Sequence, residues 1–388
     1  MQRPFDQYVY ADVDALLTGQ VPEGRALDYK RDLPGNADAD RKEFLADVSS
    51  FANAGGGDLI LGVDEVGGIP TEINGIATDD TDALIRQLDE VIRGGIQPRL
   101  RFRVRAIPTP TMTTVIWIRV EQSWDAPHRV VFRGWDKFFG RSSAGKHSLD
   151  ITELRHVFQR TGGVIEAVEH FRDSRVKVLQ ADRGPVALGR RPSVLVHLIP
   201  LEAFARQVTF DVVGLTDWRR DLRPMSGNGW TDRITMHGVL SYALMGTMPV
   251  SVAQLYRSGI VEFADTASLG LPDSDRRTIP SVKFEERVIA AVTRGLEIQR
   301  RLGSQPPIYC FVTLVDVAGM TLGVRDDPRL STDRVPLSED VLPLPETVFP
   351  EFDMRVDAAL RPALDVLWNA FDHERSPNFA PDGSWRPL

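Results

Sequence analysis

The stretch Phe51-Ala52-Asn53-Ala54-Gly55-Gly56-Gly57-Asp58-Leu59-Ile60-Leu61-Gly62-Val63-Asp64 decides the fold of the first half of the chain. Three consecutive glycines stop a helix, because glycine enters the left-handed backbone region at no steric cost. The apolar run over 58–63 has the length of a buried strand, and Asp64-Glu65-Val66-Gly67-Gly68 reads as a turn. Helix, glycine stop, strand and turn therefore follow within eighteen residues, Phe51 to Gly68.

Upstream, Phe44, Val48 and Phe51 are spaced by four and three, the apolar stripe of a helix that Asp38 can cap and that ends near Asn53. The segment 26–30 alternates apolar and polar, as a half-buried strand does, and 9–19 reads as a short opening helix. Downstream, a helix is expected over 81–93 and strands over 101–107, 114–120, 130–133 and 137–140. A further helix is capped by Asp150 or Thr152 and ends near Arg160. This order predicts an α+β fold with a mixed sheet and flanking helices. Thr161-Gly162-Gly163 marks the expected boundary between a domain at 1–162 and a second at 163–388.

The second half predicts helices at 164–180 and 285–301 and a C-terminal one at 356–371. Strands are expected at 193–199, 235–243, 258–263 and 309–315, with a long loop at 217–232. It reads as a second α+β domain, and it holds no motif that converts into chemistry. The reading leaves it a sensor or recognition role.

Hydrophobic residues make up 42% and charged residues 26%, an ordinary globular balance. No run approaches the about 20 apolar residues of a membrane helix, and the N-terminus lacks a signal-peptide core, so the expected location is cytoplasmic with no membrane partner. The single cysteine, Cys310, excludes an internal disulfide and any zinc site needing two thiolates. The net charge of −8 is unevenly spread. Residues 1–98 carry 8 Lys and Arg against 19 Asp and Glu, whereas residues 99–149 carry 10 against 3. An acidic block beside a basic one suits a carboxylate site next to a phosphate-binding surface.

Three acids stand out by position. Glu23 precedes the first strand, Asp28 lies on it, and Asp64 follows the strand at 58–63. If the two strands are neighbours, the three converge at one sheet end, where their mutual repulsion calls for a cation. Mg²⁺ or Mn²⁺ accepts such oxygen ligands and can activate a water toward a phosphodiester. Lys30 shares a strand face with Asp28 and can offset the acids or hold phosphate.

Glu23-x4-Asp28-Tyr29-Lys30, Phe51-Ala52-Asn53-x-Gly55-Gly56, Gly62-Val63-Asp64 with Gly67-Gly68, Pro127-His128 and Phe138-Phe139-Gly140-Arg141 resemble, in order and spacing, the core domain of the Schlafen family, an Alba-like nucleic-acid-processing domain. The resemblance covers roughly residues 10–160. It implies a metal-dependent endoribonuclease, with tRNA among the substrates and RNA favoured over DNA. Its catalytic and metal-binding acids fall on Glu23, Asp28 and Asp64, with Lys30 as a further catalytic residue. The family usually has Glu where this chain has Asp28, and Glu65 rather than Asp64 can be the acid in register. Relatives described only as DNA-binding keep binding without cleavage open. The family's paired core domains imply a homodimer, and two-domain bacterial analogues imply a trigger-sensing second domain in anti-phage defence.

Gly140-Arg141-Ser142-Ser143-Ala144-Gly145-Lys146-His147 nearly spells a phosphate-binding loop, but His147 replaces the hydroxyl that must ligate Mg²⁺, so ATP is not an expected cofactor. Arg129, Arg133, Lys137, Arg141 and Lys146, interleaved with Trp135, Phe138 and Phe139, are instead the expected nucleic-acid contacts.

Overall fold

A computed structural model describes residues 5–123, 125–143, 145–205, 209–215, 218–270, 277–324 and 336–387. The chain is α+β and divides into two units, Met1–Gly163 and Val164–Leu388.

The first unit opens with a 3-10 turn, Phe5–Gln7, and α1 (Tyr10–Thr18). Next come β1 (Leu27–Lys30), α2 (Asp38–Ala54) and β2 (Gly57–Leu61). β1 and β2 are parallel neighbours, Asp28 opposite Leu59, as convergence of the acids requires. Asp38 is the first residue of α2 and makes no side-chain cap, since Ala37 occupies the cap position.

The expected turn at 64–68 is different. Gly62, at φ +97°, lies where an added Cβ would come within 2.9 Å of Gly75, and this kink ends β2. The chain continues as a separate hairpin of β3 (Val63–Val66) and β4 (Ile69–Ile73). Asp64 thus sits on a strand, and only Gly67-Gly68 turn.

Then follow α3 (Thr81–Gly95), β5 (Ile96–Gln97), β6 (Phe102–Pro108), β7 (Thr114–Val120), β8 (Arg129–Phe132), β9 (Trp135–Ser142) and β10 (Gly145–Ser148). One sheet has the order β1-β2-β7-β6, and a second the order β10-β9-β8-β5. Alternation divides the first sheet's faces. Leu59, Leu61, Ile116 and Ile118 pack with Phe44, Val48 and Phe51 of α2 and with α3. Tyr29, Ile60, Val115 and Trp117 pack under Phe5, Tyr8 and Val13. The near phosphate-loop at 140–147 is a strand hairpin, with Lys146 opposite Arg141.

α4 runs unbroken from Ile151 to Gln180 through Gly162 and Gly163, where the sequence suggests two helices. The helix crosses both glycines, each of which costs only about 1 kcal/mol in a helix interior.

The second unit holds β11 (Ser193–Pro200), α5 (Glu202–Ala205), α6 (Trp218–Asp221), β12 (Thr231–Thr235), β13 (Gly238–Met245), β14 (Met248–Tyr256), β15 (Val261–Asp265) and β16 (Thr278–Pro280). It ends with α7 (Ser281–Leu302), β17 (Ile308–Val315), β18 (Thr321–Gly323), β19 (Val341–Pro343), β20 (Thr347–Phe349) and α8 (Val356–Asn369). Its antiparallel sheet is ordered β12-β13-β14-β15-β11-β17-β19, with β20 also on β17. The single strand expected at 235–243 is the β12–β13 hairpin, and β14 was missed because its polar Ser251 and Gln254 are buried. The expected loop 217–232 starts outside the described residues at Asp217 and contains α6, whose Trp218 is core.

α7 buries Val288, Ala291, Val292 and Leu296 on the sheet. Its Glu285, fully buried, accepts from Trp368 Nε1 (2.7 Å), Ser376 Oγ (2.7 Å), Asn378 Nδ2 (2.8 Å) and Trp385 Nε1 (2.9 Å). That one carboxylate ties α8 and the C-terminal segment to α7. On the opposite sheet face, Glu262 takes both Arg175 nitrogens at 2.7 and 2.8 Å and His197 Nε2 at 3.2 Å. Cys310 is buried, and burial pushes its thiol well above the usual range.

Candidate nucleic-acid interface

The site grows from α2. The helix stops at Gly55, in the left-handed region at φ 119°, and its last turn delivers Asn53 to the second sheet. Asn53 Nδ2 donates to the carbonyls of His128 and Phe139, both at 2.8 Å, and its Oδ1 accepts from His128 N at 2.7 Å. The Phe-Ala-Asn segment is therefore a staple holding β8 and β9 against the helix.

With β9 fixed there, Arg141 reaches the acid of β1. Its Nη2 donates to Asp28 Oδ2 at 2.5 Å and its Nε to the Gly24 carbonyl at 3.1 Å, and the guanidinium lies 4.2 Å from the Phe51 ring centre. Lys30 Nζ takes the other Asp28 oxygen at 2.7 Å. Burial alone would raise the Asp28 carboxyl, but the hydrogen bonds from Glu23 and Lys30 and the charges of Arg141 and Lys30 hold it below the ordinary value. Glu23 moves the other way. Half-buried and hydrogen-bonded to Asp28, it is pushed up to about 7, although the Tyr29 amide donates to it at 2.8 Å. The two neighbouring carboxyls are thus pushed in opposite directions, Glu23 up and Asp28 down.

A third acid, Asp47, belongs to the cluster. Lys146 Nζ lies 2.9 Å from Asp47 and 2.6 Å from Glu43, and Arg141 Nη1 is 3.8 Å from Asp47. Burial raises the Asp47 carboxyl, an effect Lys146 partly offsets. Asp47 was legible only as an acid set four residues before Phe51, inside the apolar stripe of α2.

Asp64 stands apart from this cluster. Its Oδ2 is 3.5 Å from Arg31 Nη1, and its hairpin touches Glu23 through Gly68, whose carbonyl accepts from the Glu23 amide at 2.7 Å. Glu65 is turned back to the Gly68 amide at 2.5 Å. The structure thus brings Glu23, Asp28 and Lys30 together and leaves Asp64 on a neighbouring strand. Among the described residues no group of three or more His, Cys, Asp or Glu side chains is arranged to hold a metal ion. Both Asp28 oxygens are already matched by cations, and Lys30, Arg141 and Lys146 supply the counter-charge that a divalent ion would bring. This donor set does not fit Mg²⁺ or Mn²⁺ as arranged.

The basic residues divide by exposure. The Arg141 side chain is 3% exposed and that of Lys146 15%, which makes them internal counter-ions. Arg133 is 66% exposed beside Asp38 at 2.8 Å, and Arg129 is 41% exposed beside Asp136 at 2.9 Å. Lys137 is exposed, and its ammonium and that of Lys42 lie 5.4 and 5.6 Å from the Trp135 ring centre. Phe139 is core, and Trp135 packs on it at 5.5 Å, so neither ring stands free.

Residues 23–150 match the family model described as Schlafen, AlbA_2. No curated protein matches the chain. Among solved structures it is similar to the DIP2311 protein from Corynebacterium diphtheriae, with 18% identity over 38% of this chain and 28% of that one, at a TM-score of 0.27. It is also similar to the N-terminal domain of a RecG-related protein from Nitrosomonas europaea, with 22% identity over 35% of this chain and 89% of that one, again at 0.27. The family match thus lies within the N-terminal unit, and the chain spans under a third of the Corynebacterium protein.

Proposed function

We propose that the N-terminal unit is a nucleic-acid-binding module that grips the phosphate backbone along α2. The observation that carries this reading is the order of cations down that helix. Arg133 sits at Asp38, Lys137 and Lys42 flank Trp135, Lys146 spans Glu43 and Asp47, and Arg141 with Lys30 closes on Asp28. Buried ion pairs fix the inner end, and exposed cations at the outer end are free to trade a carboxylate for a phosphate.

Cleavage is the second reading, favoured by two neighbouring acids beside Lys30 whose carboxyls are pushed in opposite directions. Under it the protein is an endoribonuclease, with tRNA as the substrate, a homodimer as the two-walled form and the C-terminal unit as sensor. Incubating the full chain with tRNA in Mn²⁺ and in EDTA separates the two. Binding without cleavage in both supports the module. Mn²⁺-dependent cleavage lost in Asp28→Asn moves the assignment to the nuclease.

A further inference from the structure

The opposite face of the β1-β2-β7-β6 sheet carries a second set of cations that the site above does not use. Arg103 and Arg105 on β6 and Arg119 on β7 share this face with Trp117, since Arg103 pairs with Arg119 and Arg105 with Trp117 in the ladder. The segment Phe5–Val9 lies over Arg105, Arg119 and Trp117, while Arg103 at its edge stays exposed. Arg105 donates to the Tyr8 carbonyl at 2.6 Å and to the Asp6 carbonyl, and Arg119 Nη2 to the Tyr8 hydroxyl at 3.3 Å. Phe5 lies 5.1 and 4.8 Å from the Arg103 and Arg119 guanidiniums, and Tyr8 meets the Trp117 ring edge-on at 5.0 Å.

Three features mark this cover as replaceable. Among the described residues no main-chain to main-chain hydrogen bond joins residues 5–9 to β6 or β7, so the segment's hydrogen bonds to those strands run through side chains of the sheet. Arg105 is satisfied there by neutral carbonyl oxygens, which a phosphate outbids as an acceptor for a guanidinium. The indole Nε1 of Trp117, 4% exposed beneath the cover, has no hydrogen-bond partner, and a buried donor left unpaired costs stability.

We infer that Phe5–Val9 is a displaceable strap over a second docking face, and that single-stranded nucleic acid takes its place there. With the strap gone, Trp117 offers a ring for an unpaired base to stack on, and Arg103, Arg105 and Arg119 around it offer phosphate contacts, the combination that a single strand uses. A duplex hides its base faces and gains nothing from Trp117. Arg119, tied to Asp58 at 2.8 Å, stays in place as the strap leaves.

The test measures anisotropy of a labelled oligouridine of about twelve nucleotides on the full chain, on a chain starting at Tyr10, and on that shortened chain with Arg103→Gln and Arg105→Gln. Removing the strap is expected to tighten binding about tenfold, the scale of one base stack, and the double substitution to return it to the full-chain value. Equal affinity of the full and shortened chains overturns the inference. So does a gain that survives the double substitution, or an equal gain with an RNA duplex of the same length. If the shortened chain loses its near-ultraviolet circular dichroism, hydrogen exchange on the full chain decides. Saturating oligouridine should raise exchange at residues 5–9, and unchanged or stronger protection there overturns the inference. Arg133→Ala and Lys137→Ala, on the α2 side, shift both chains equally, which keeps this face distinct from the track proposed above.

Discussion

Arg141 on β9 and Asp28 on β1 form an ion pair, Nη2 to Oδ2 at 2.5 Å, with both side chains under 5% exposed. It joins a strand of each N-terminal sheet through charge, and α2 packs over it through Phe51. Removing one partner of a buried pair costs about 3–5 kcal/mol when the charge left behind is unpaired, and Lys30, still on Asp28 at 2.7 Å, sets that figure as an upper bound here. Arg141→Met is expected to destabilise the chain by up to that amount in urea titration, and Asp28→Asn/Arg141→Met by markedly less. Equal losses in both variants would show that the cost comes from packing on Phe51 alone.

Asn53 satisfies two buried carbonyls and one buried amide. Asn53→Ala leaves all three unpaired, at about 1–3 kcal/mol for each group that water cannot reach. Asn53→Asp should be worse than Asn53→Ala, because it sets a carboxylate against the His128 and Phe139 carbonyl oxygens. Thermal melts of the two variants read the order directly.

Acid stability should turn on Glu262. Although buried, it is held down at about 2 by the hydrogen bonds and charges of Arg175 and His197, against an ordinary 4.5. A lowered folded value means that its contribution is complete above 4.5 and is lost as pH falls toward 2. The Glu262→Gln variant should therefore lie below wild type at pH 7, and the gap should close across that window.

Glu23 has the opposite sign. Its folded value near 7 lies above the ordinary 4.5, so the folded state binds the extra proton and stability falls as pH rises between them. Relative to wild type, Glu23→Gln should gain stability from pH 4 to pH 8. A flat difference across that range would mean that folding does not raise the Glu23 carboxyl.

Much of the N-terminal fold was legible because its local signals agree. The stripe Phe44, Val48 and Phe51, the glycine stop and the strand after it all appear where periodicity puts them. The expected neighbouring of the first two strands appears as parallel β1 and β2, whereas Glu23, Asp28 and Lys30 meet because all three lie on β1 or just before it. Asp64 misled because Gly62 breaks the strand one residue earlier than the apolar run ends, and the chain leaves the sheet. Arg141 and Lys146 read as surface cations, since sequence spacing says nothing about which arginine meets a buried acid across two sheets. Asp47, Glu262 and Glu285 were hidden for the same reason, each being an acid in an apolar context whose partners lie far along the chain.

A phosphate track along α2 makes binding depend on released counter-ions, and so on salt. Wild type should bind labelled tRNA with an affinity that falls linearly in log salt. Arg129→Ala/Arg133→Ala/Lys137→Ala should weaken binding and flatten the slope by roughly 0.7–0.9 for each contact removed. An affinity independent of salt, or a slope that the triple variant leaves unchanged, would contradict it.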